Sequence, residues 1–385
     1  MNQYRRIFIA TSFSCISFFA SSQAVQVTPT APEVNAKGYI LIDYHTGAVL
    51  AEGNADEPLA PASLTKMMTS YIIGTEIKNG TIKPSDPVTI TENAWAKQYS
   101  DSSKMFIEVG ATISVNELNR GIIIQSGNDA CVAIAEHIAG TEGAFVELMN
   151  AHAKRLGMEN TTFSNAHGLP DAAQRTTARD MSKLSVALIR DVPEEYKIYA
   201  EKEYVFNGIK QYNRNGLLWD KSLNVDGIKT GHTSEAGYSL ITSATKDDMR
   251  LISVVMGTES AKIREAENKK LLTYGFRFFE TFSPYKAGEK FAEQRVWQGT
   301  KEIITLGVLA ETPITLQRNQ RKDLKADFKL NQDLIAPISK GQVLGTVYLK
   351  LGDKDIAEFP LVALEDIEQA GLFSRLVDMV KMRFQ

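Results

Sequence analysis

The sequence predicts an α+β protein: a domain of helices and antiparallel sheet, then a small all-β domain, then a terminal amphipathic helix. Three features of its 385 residues carry that prediction. Hydrophobic spacing changes from the period of a strand to that of a helix near Pro61, and returns to strand-like runs from Val225. After Ser283-Pro284, β-forming runs separated by turn residues follow one another up to about residue 365. From Leu372 the apolar residues again recur at helical spacing.

Gly38 to Asp43 and Ala48 to Ala51 are short β-rich runs around His45-Thr46-Gly47, a hairpin signal that opens the fold. From Pro61, whose missing N–H suits a helix start, Leu64, Met67, Met68, Tyr71 and Ile72 mark a buried helix face. Ser114-Val115-Asn116-Glu117 fits a capping box, and the helical stripe after it runs through Leu118, Ile122 and Ile123 to Gln125. Ser126-Gly127-Asn128 interrupts it, a further helix covers Ala130 to Ile138, and the chain stays mostly helical to about Arg190. Tyr238 to Thr245 and Met249 to Met256 flank Lys246-Asp247-Asp248 as an antiparallel pair. Asn268 to Phe282 reads as a helix with Leu272, Phe276 and Phe279 inward. The β runs of the last domain include Glu302 to Leu306, Asp327 to Leu330 and Val343 to Leu351.

A chain of this length that is 43% hydrophobic can bury a large core and a second small one. Its net charge of -3, with both signs interspersed, supplies no basic field for a nucleic-acid partner. Arg5 and Arg6 before the apolar stretch Ile7 to Ala20, with Ser22-Gln23-Ala24 after it, read as a secretory signal cleaved after Ala24. The stretch is shorter than the roughly 20 residues that span a bilayer. Cys15 leaves with the signal, so Cys131 has no partner for a disulfide. It reads as a small buried hydrophobe, although its place three residues after Asn128 makes a thiol reagent a conceivable reporter on the site.

Ser63-Leu64-Thr65-Lys66 places a hydroxyl and an amine one helical turn apart at a helix start. A serine is a weak nucleophile that needs an adjacent base, and a lysine serves as one when burial or nearby cations lower its pKa. Alone, such a tetrapeptide describes many solvated helix faces. Here Ser126-Gly127-Asn128 and then Lys229-Thr230-Gly231 follow in the order and spacing of a serine-acylating set. Ser126, on an interhelical loop, would present an exposed hydroxyl to relay a proton, and Asn128 would offer its amide to a substrate backbone. Lys229 and Thr230 open a strand to which a peptide could add while they hold its carboxylate, with Gly231 leaving room for close backbone approach.

With these motifs, and with Tyr212 to Trp219, Val225 to Thr233 and Val255-Met256-Gly257, essentially the whole mature chain resembles the D-alanyl-D-alanine carboxypeptidases, the low-molecular-mass penicillin-binding proteins. The resemblance implies a β-lactamase/transpeptidase-like catalytic domain over residues 25–282, after a signal peptide at 1–24, then a β-rich domain at 283–365 and a membrane-anchoring helix at 366–385. It implies that Ser63 forms an acyl-enzyme on the penultimate D-alanine of a peptidoglycan pentapeptide, with Lys66 as general base and Ser126 in the catalytic set. Asn128, Lys229, Thr230, Gly231, His232, Arg214 and Arg264 would then bind the substrate. The backbone N–H groups of Ser63 and His232 would hold the oxyanion, and β-lactams would be covalent inhibitors. No cofactor or metal is implied.

A serine β-lactamase would share Ser63, Lys66 and Lys229, but the segment after Asn128 offers no convincing match to the glutamate that such enzymes use for deacylation. A scaffold that only binds wall peptide would have lost the nucleophile or the lysine, and neither is lost. No H-E-x-x-H or G-x-S-x-G is present, which disfavours a zinc peptidase and a Ser-His-Asp hydrolase. His45, His137, His152 and His167 are expected in structural or surface roles. In the terminal helix, Leu372, Phe373, Leu376, Val377, Val380 and Phe384 share one side, opposite Arg375, Asp378 and Lys381. That pattern suits an in-plane anchor on the periplasmic face of the cytoplasmic membrane.

Overall fold

The computed structural model describes residues 30–383. The signal sequence read at residues 1–24, Cys15 and Phe384 lie outside these described residues. Strands β1 (Gly38–Asp43) and β2 (Val49–Gly53) pair around a turn in which Gly47 takes a positive φ of 71°. A 3-10 turn over Ala62–Thr65 leads into α1 (Lys66–Asn79). Short strands β3 (Pro87–Thr89) and β4 (Thr112–Ser114) precede α2 (Val115–Arg120), whose cap forms as the sequence indicates, with Ser114 Oγ accepting the Glu117 N–H at 3.3 Å. A wide π-type turn over Gly121–Gln125 then brings the chain to Ser126.

The helical layer continues with α3 (Asn128–Ala139), α4 (Glu142–Arg155), α5 (Ala178–Asp191) and the single turn α6 (Pro193–Tyr196). A hairpin of β5 (Glu203–Phe206) and β6 (Ile209–Tyr212) follows, then β7 (Asn224–Thr233), β8 (Gly237–Lys246), β9 (Met249–Thr258) and α7 (Ala261–Phe278). The main sheet is antiparallel, ordered β2-β1-β9-β8-β7, so β7 is an edge strand.

Alternation along β1 sends Ile40 and Ile42 into the core beneath α1 to α6, and Leu41 into a second cluster with Leu271, Leu272 and Phe276 of α7 on the other face. Strands covered on both faces therefore read as continuous apolar runs. Each such side chain contributes about 1.5–3 kcal/mol by leaving water. Helix α1 is buried on every side as far as Gly74, including Thr69 and Ser70, and not along one stripe alone. It is the central post of the domain. Thr69 Oγ1 donates to the Ala166 carbonyl at 2.6 Å and so ties the loop between α4 and α5 to this post.

Two sequence expectations change. The helix expected over residues 268–282 starts earlier, where Ser260 Oγ accepts the Ile263 N–H at 3.2 Å, and ends at Phe278. The next residues form β10 (Phe279–Phe282), because their side chains alternate and the strand finds a partner. Beyond it lie β11 (Lys290–Arg295), β12 (Ile303–Gly307), β13 (Ile314–Gln317), β14 (Leu324–Leu330), β15 (Val343–Leu351) and β16 (Lys354–Ala363). They form a sheet ordered β11-β12-β16-β15-β14 and a β10-β13 pair around their own core of Ile304, Leu306, Val347, Leu349 and Leu361. The terminal helix, α8, covers Leu372–Met382 only. Residues 366–371 are not helical, since Ile367 and Gln369 pair with Ile338 and Gly299 and keep the chain extended.

The two units meet at a buried carboxylate. Asp43 Oδ1 accepts from the N–H groups of His45 and Thr46, both at 2.9 Å, while Oδ2 accepts from Thr281 Oγ1 at 2.7 Å. Asp43→Ala leaves the buried Thr281 hydroxyl and two part-buried N–H groups without their acceptor and should lower the unfolding free energy by about 2–4 kcal/mol in urea titrations. A loss under about 1 kcal/mol would show that the junction closes without this carboxylate.

Candidate active site

Ser63 lies on the 3-10 turn, half-buried, with Lys66 three residues on at the first residue of α1. Residues three apart nearly eclipse in a 3-10 turn, so the two side chains meet more directly than they would along an α-helix. Lys66 Nζ is 3.1 Å from Ser63 Oγ, 2.7 Å from Asn128 Oδ1 and 2.5 Å from the His167 carbonyl oxygen. Lys66 is 1% exposed, and burial is the main cause that brings its pKa down to about 8. A neutral amine has two N–H donors and one lone pair. Donation to Asn128 and His167 leaves that lone pair directed at the Ser63 hydroxyl, the arrangement a general base needs.

Three residues with positive φ surround this centre without being glycines: Ala62 at 48°, Phe106 at 67° and Ser126 at 61°. Such backbone is retained where the surroundings over-determine it. Asp129 holds the Phe106 segment, its buried carboxylate accepting the N–H groups of Met105 and Phe106 at 2.8 and 2.9 Å. Gly168 has φ +91°, and a Cβ there would lie 1.9 Å from the Ala62 carbonyl oxygen, so only glycine lets this loop reach the Ser63 turn.

Ser126 is 1% exposed, not the exposed loop hydroxyl expected from the sequence, with Lys229 of β7 against it. Its Oγ accepts from Lys229 Nζ at 3.1 Å. Lys229 is itself buried, and its pKa is held well below the ordinary lysine value, first by burial and then by the charge of Lys66. An anionic ligand beside it reverses that effect and restores its charge. Asn128 does more than offer an amide: Oδ1 holds Lys66, and Nδ2 donates to Ser102 Oγ at 2.8 Å. Thr230 is buried beside Lys229. The close approach that requires Gly231 is that of the Ser63 turn, since a Cβ there would sit 3.0 Å from the Pro61 carbonyl oxygen.

A cleft of about 560 Å³ opens above Ser63, lined by the Asp101 to Ser103 loop, Arg214, Leu169, Pro170 and Thr233 to Glu235. His232 lines it, packed edge-on against Tyr238. Arg214 also lines it and donates to Ser103 Oγ at 2.6 Å. Arg264 does not reach the cleft: it is 6% exposed on α7, behind the sheet, where Nη1 contacts the Gly231 carbonyl oxygen at 3.4 Å. Its charge acts from behind the strand. Cys131 is fully buried, donates to the Gly127 carbonyl, and has a thiol pushed up to about 12 by burial, so a thiol reagent does not report on the site.

The sequence reading missed His167, Asp129 and the Ser102-Ser103 loop. His167 contributes its backbone carbonyl, which no side-chain pattern reveals. Its ring stays neutral, with the pKa pushed down to about 3 by burial and by Lys66, and Nδ1 accepts the Leu169 N–H at 3.1 Å. Asp129 left a readable trace as an acidic residue in the first turn of α3.

The family model described as D-alanyl-D-alanine carboxypeptidase matches residues 25–260, and the one described as penicillin-binding protein 5, C-terminal domain, matches residues 279–369. D-alanyl-D-alanine carboxypeptidase DacA of Escherichia coli K12 is 51% identical over 99% of this chain and 96% of its own. DacC of the same strain is 50% identical over 100% and 98%. Among solved structures, penicillin-binding protein 5 from Haemophilus influenzae is 51% identical with a TM-score of 0.83, covering 89% of this chain and 100% of that one. Penicillin-binding protein D2 from Listeria monocytogenes, in an ampicillin-bound form, is 29% identical with a TM-score of 0.57, covering 64% and 100%.

A base with a pKa of about 8 is mostly protonated at pH 6 and mostly free at pH 9. The second-order rate of Ser63 acylation should therefore rise about tenfold per pH unit below 8 and level off above it, as followed by stopped-flow fluorescence. Lys66→Arg, whose guanidinium stays protonated, should lower that rate by about a hundredfold or more and abolish the pH dependence. A flat profile in the wild type would remove Lys66 from the role of base.

Proposed function

The chain belongs to the D-alanyl-D-alanine carboxypeptidase family, and from that premise we propose that Ser63, Lys66, Ser126 and Lys229 are the groups with which it trims peptidoglycan pentapeptides. The observation that carries this assignment is the 3.1 Å approach of a desolvated lysine amine to Ser63 Oγ, in a cleft beside an unpaired strand edge.

The pentapeptide adds along β7 with its terminal carboxylate toward Lys229, Thr230 and Arg214. Ser63 Oγ gives its proton to Lys66 Nζ and attacks the carbonyl carbon of the penultimate D-alanine. The backbone N–H groups of Ser63 and His232 take the developing oxyanion, a kind of contact that supplies several kcal/mol elsewhere. As the C–N bond breaks, the proton passes by way of Ser126 to the leaving amine, and D-alanine departs. Lys66 then takes a proton from water as the water oxygen attacks the ester carbonyl, the bond from that carbon to Ser63 Oγ breaks, and Lys66 returns the proton to Oγ as the shortened peptide leaves. A β-lactam follows the first half of this route, its ring amide standing in for the scissile bond. Among the described residues, the carboxylates lining the cleft are Asp101 and Glu235, and neither lies in the segment after Asn128 where a β-lactamase would carry its deacylating glutamate.

Residues 1–24 direct export, and α8 holds the enzyme to the outer face of the cytoplasmic membrane. Leu372 and Phe373 are 77% and 82% exposed, and Leu376 and Val380 also face outward, while Arg375 and Asp378 turn toward the β domain. Asp378 Oδ2 accepts the Gln298 N–H there at 2.7 Å. A helix docked by its polar side, with its apolar side turned away from the protein, is built to lie in a lipid interface. No described helix is long and apolar enough to cross a membrane.

Peptide mapping after incubation with benzylpenicillin should place the adduct on Ser63, and Ser63→Ala should neither label nor release D-alanine from a pentapeptide. Labelling of Ser126 would overturn the assignment. Lys229→Ala should depress kcat/KM by about a hundredfold with little change in melting temperature. Deleting residues 372–385 should move the protein from the membrane fraction to the soluble one with D-alanine release intact. Continued sedimentation with membranes would make α8 part of the fold and not an anchor.

A further inference from the structure

We propose that a second cavity, where the β domain meets the catalytic domain, binds an organic phosphate monoester. It shares no lining residue with the cleft above Ser63, and the inference is independent of the carboxypeptidase reading. The cavity measures about 570 Å³, within the range of small-molecule sites. Its charged lining comes from three places: Lys246 and Asp247 at the β8–β9 turn, Lys269 and Arg277 on α7, and Arg318 just after β13. The first four belong to the catalytic domain and Arg318 to the β domain.

Charge decides the class of ligand. Four cations line the cavity beside one carboxylate, in a chain whose net charge is -3. Lys269 is matched, with Nζ 2.6 Å from Asp220 Oδ2. Among the described residues, Lys246, Arg277 and Arg318 have no carboxylate within ion-pair distance. The C-terminal end of α7 answers part of this charge, since a helix end carries about half a negative charge and Arg318 Nη2 donates to the Phe276 carbonyl at 3.1 Å. Asp247, Asp220 and the helix end together still leave more than one positive charge without a counter-charge. A phosphate monoester carries about -1.5 to -2 at neutral pH and matches that excess.

The cations are also held in place. Arg318 is fixed at the end of α7 twice, by its side chain on Phe276 and by its backbone N–H on the Phe278 carbonyl at 3.0 Å. The side-chain contact engages one of its five N–H donors, and the rest offer the planar fork that suits phosphate oxygens. Asp220 restrains Lys269 in the same way. Leu223 and Phe276 add an apolar wall, which gives the carbon part of an ester a surface that a bare ion would not use.

Isothermal titration calorimetry of the full-length protein, in phosphate-free buffer with a neutral detergent, tests the site. The probes are inorganic phosphate and glycerol 1-phosphate, with sodium chloride at equal ionic strength as control. Both phosphates should saturate one site per chain, the ester more tightly, and chloride should not. Lys246→Gln and Arg277→Gln should each weaken binding about three- to tenfold. Asp247→Asn should tighten it about two- to threefold, because it removes the one carboxylate of the lining in a residue type that tolerates the φ of 52° found there. Penicillin acylation of Ser63 should be the same in all three variants, which reports that they fold. Heat that follows ionic strength alone, affinity unchanged by Lys246→Gln and Arg277→Gln, or weaker binding in Asp247→Asn would each overturn the proposal. Flotation with phosphatidylcholine vesicles, with and without phosphatidic acid, then identifies the source of the ester. α8 is common to every variant, so extra retention on phosphatidic acid that Lys246→Gln abolishes supports a lipid headgroup as the ligand. Equal retention of wild type and variant, with glycerol 1-phosphate still bound, supports a soluble ester.

Discussion

A lysine amine held almost entirely out of water, one hydrogen bond away from a serine hydroxyl, is the constraint around which the rest of the catalytic domain is arranged. An isolated ammonium in that position would be costly, and the environment answers by lowering its pKa and by supplying carbonyl oxygens for its N–H groups. Those oxygens come from parts of the chain far apart in sequence. Asn128 arrives on α3, and His167 arrives on a loop fastened to α1 through Thr69. Helix α1 is buried as far as Gly74, and two of the segments packed on it, α3 and the α4–α5 loop, bring partners for the amine.

The strained residues have the same origin. Ser126 can face Lys229 because the π-type turn ends in a left-handed conformation there, and Ala62 adopts positive φ where the chain enters the Ser63 turn. Asp129 stabilises the Phe106 segment with its buried carboxylate and thereby fixes Ser102 and Ser103, which in turn hold Asn128 and Arg214. Strain at these points is offset by hydrogen bonds that close a single network around the cleft. Burial, and after it the charges of Lys66 and Arg214, hold the pKa of Lys229 well below the ordinary lysine value.

The β domain takes no part in that network. It joins the catalytic domain at the Asp43 turn, where Thr281 from β10 donates to the same carboxylate that closes the first hairpin, and Thr46 and Thr315 meet at 2.6 Å. A junction made of buried, directional hydrogen bonds sets one orientation more sharply than apolar contact would. At the far end of the chain, α8 is attached by polar contacts, which leaves its apolar side available.

The sequence by itself determined the order of elements, the division into a helical-and-sheet part and a β part, and the groups able to do chemistry. Ser63, Lys66, Ser126, Asn128 and Lys229 were legible because local periodicity places them at helix starts, loop turns and a strand, and because hydroxyl and amine chemistry belongs to particular side chains. The tertiary structure decided what those residues touch. His167 acts through a backbone carbonyl, which every residue possesses, and so left no trace in the sequence. Ser126 turned out buried and Arg264 fell behind the sheet, because burial depends on which distant elements close over a position. The helix expected to include Phe279 gave way to a strand for the same reason, since β10 exists only where β13, some 35 residues on, is there to pair with it.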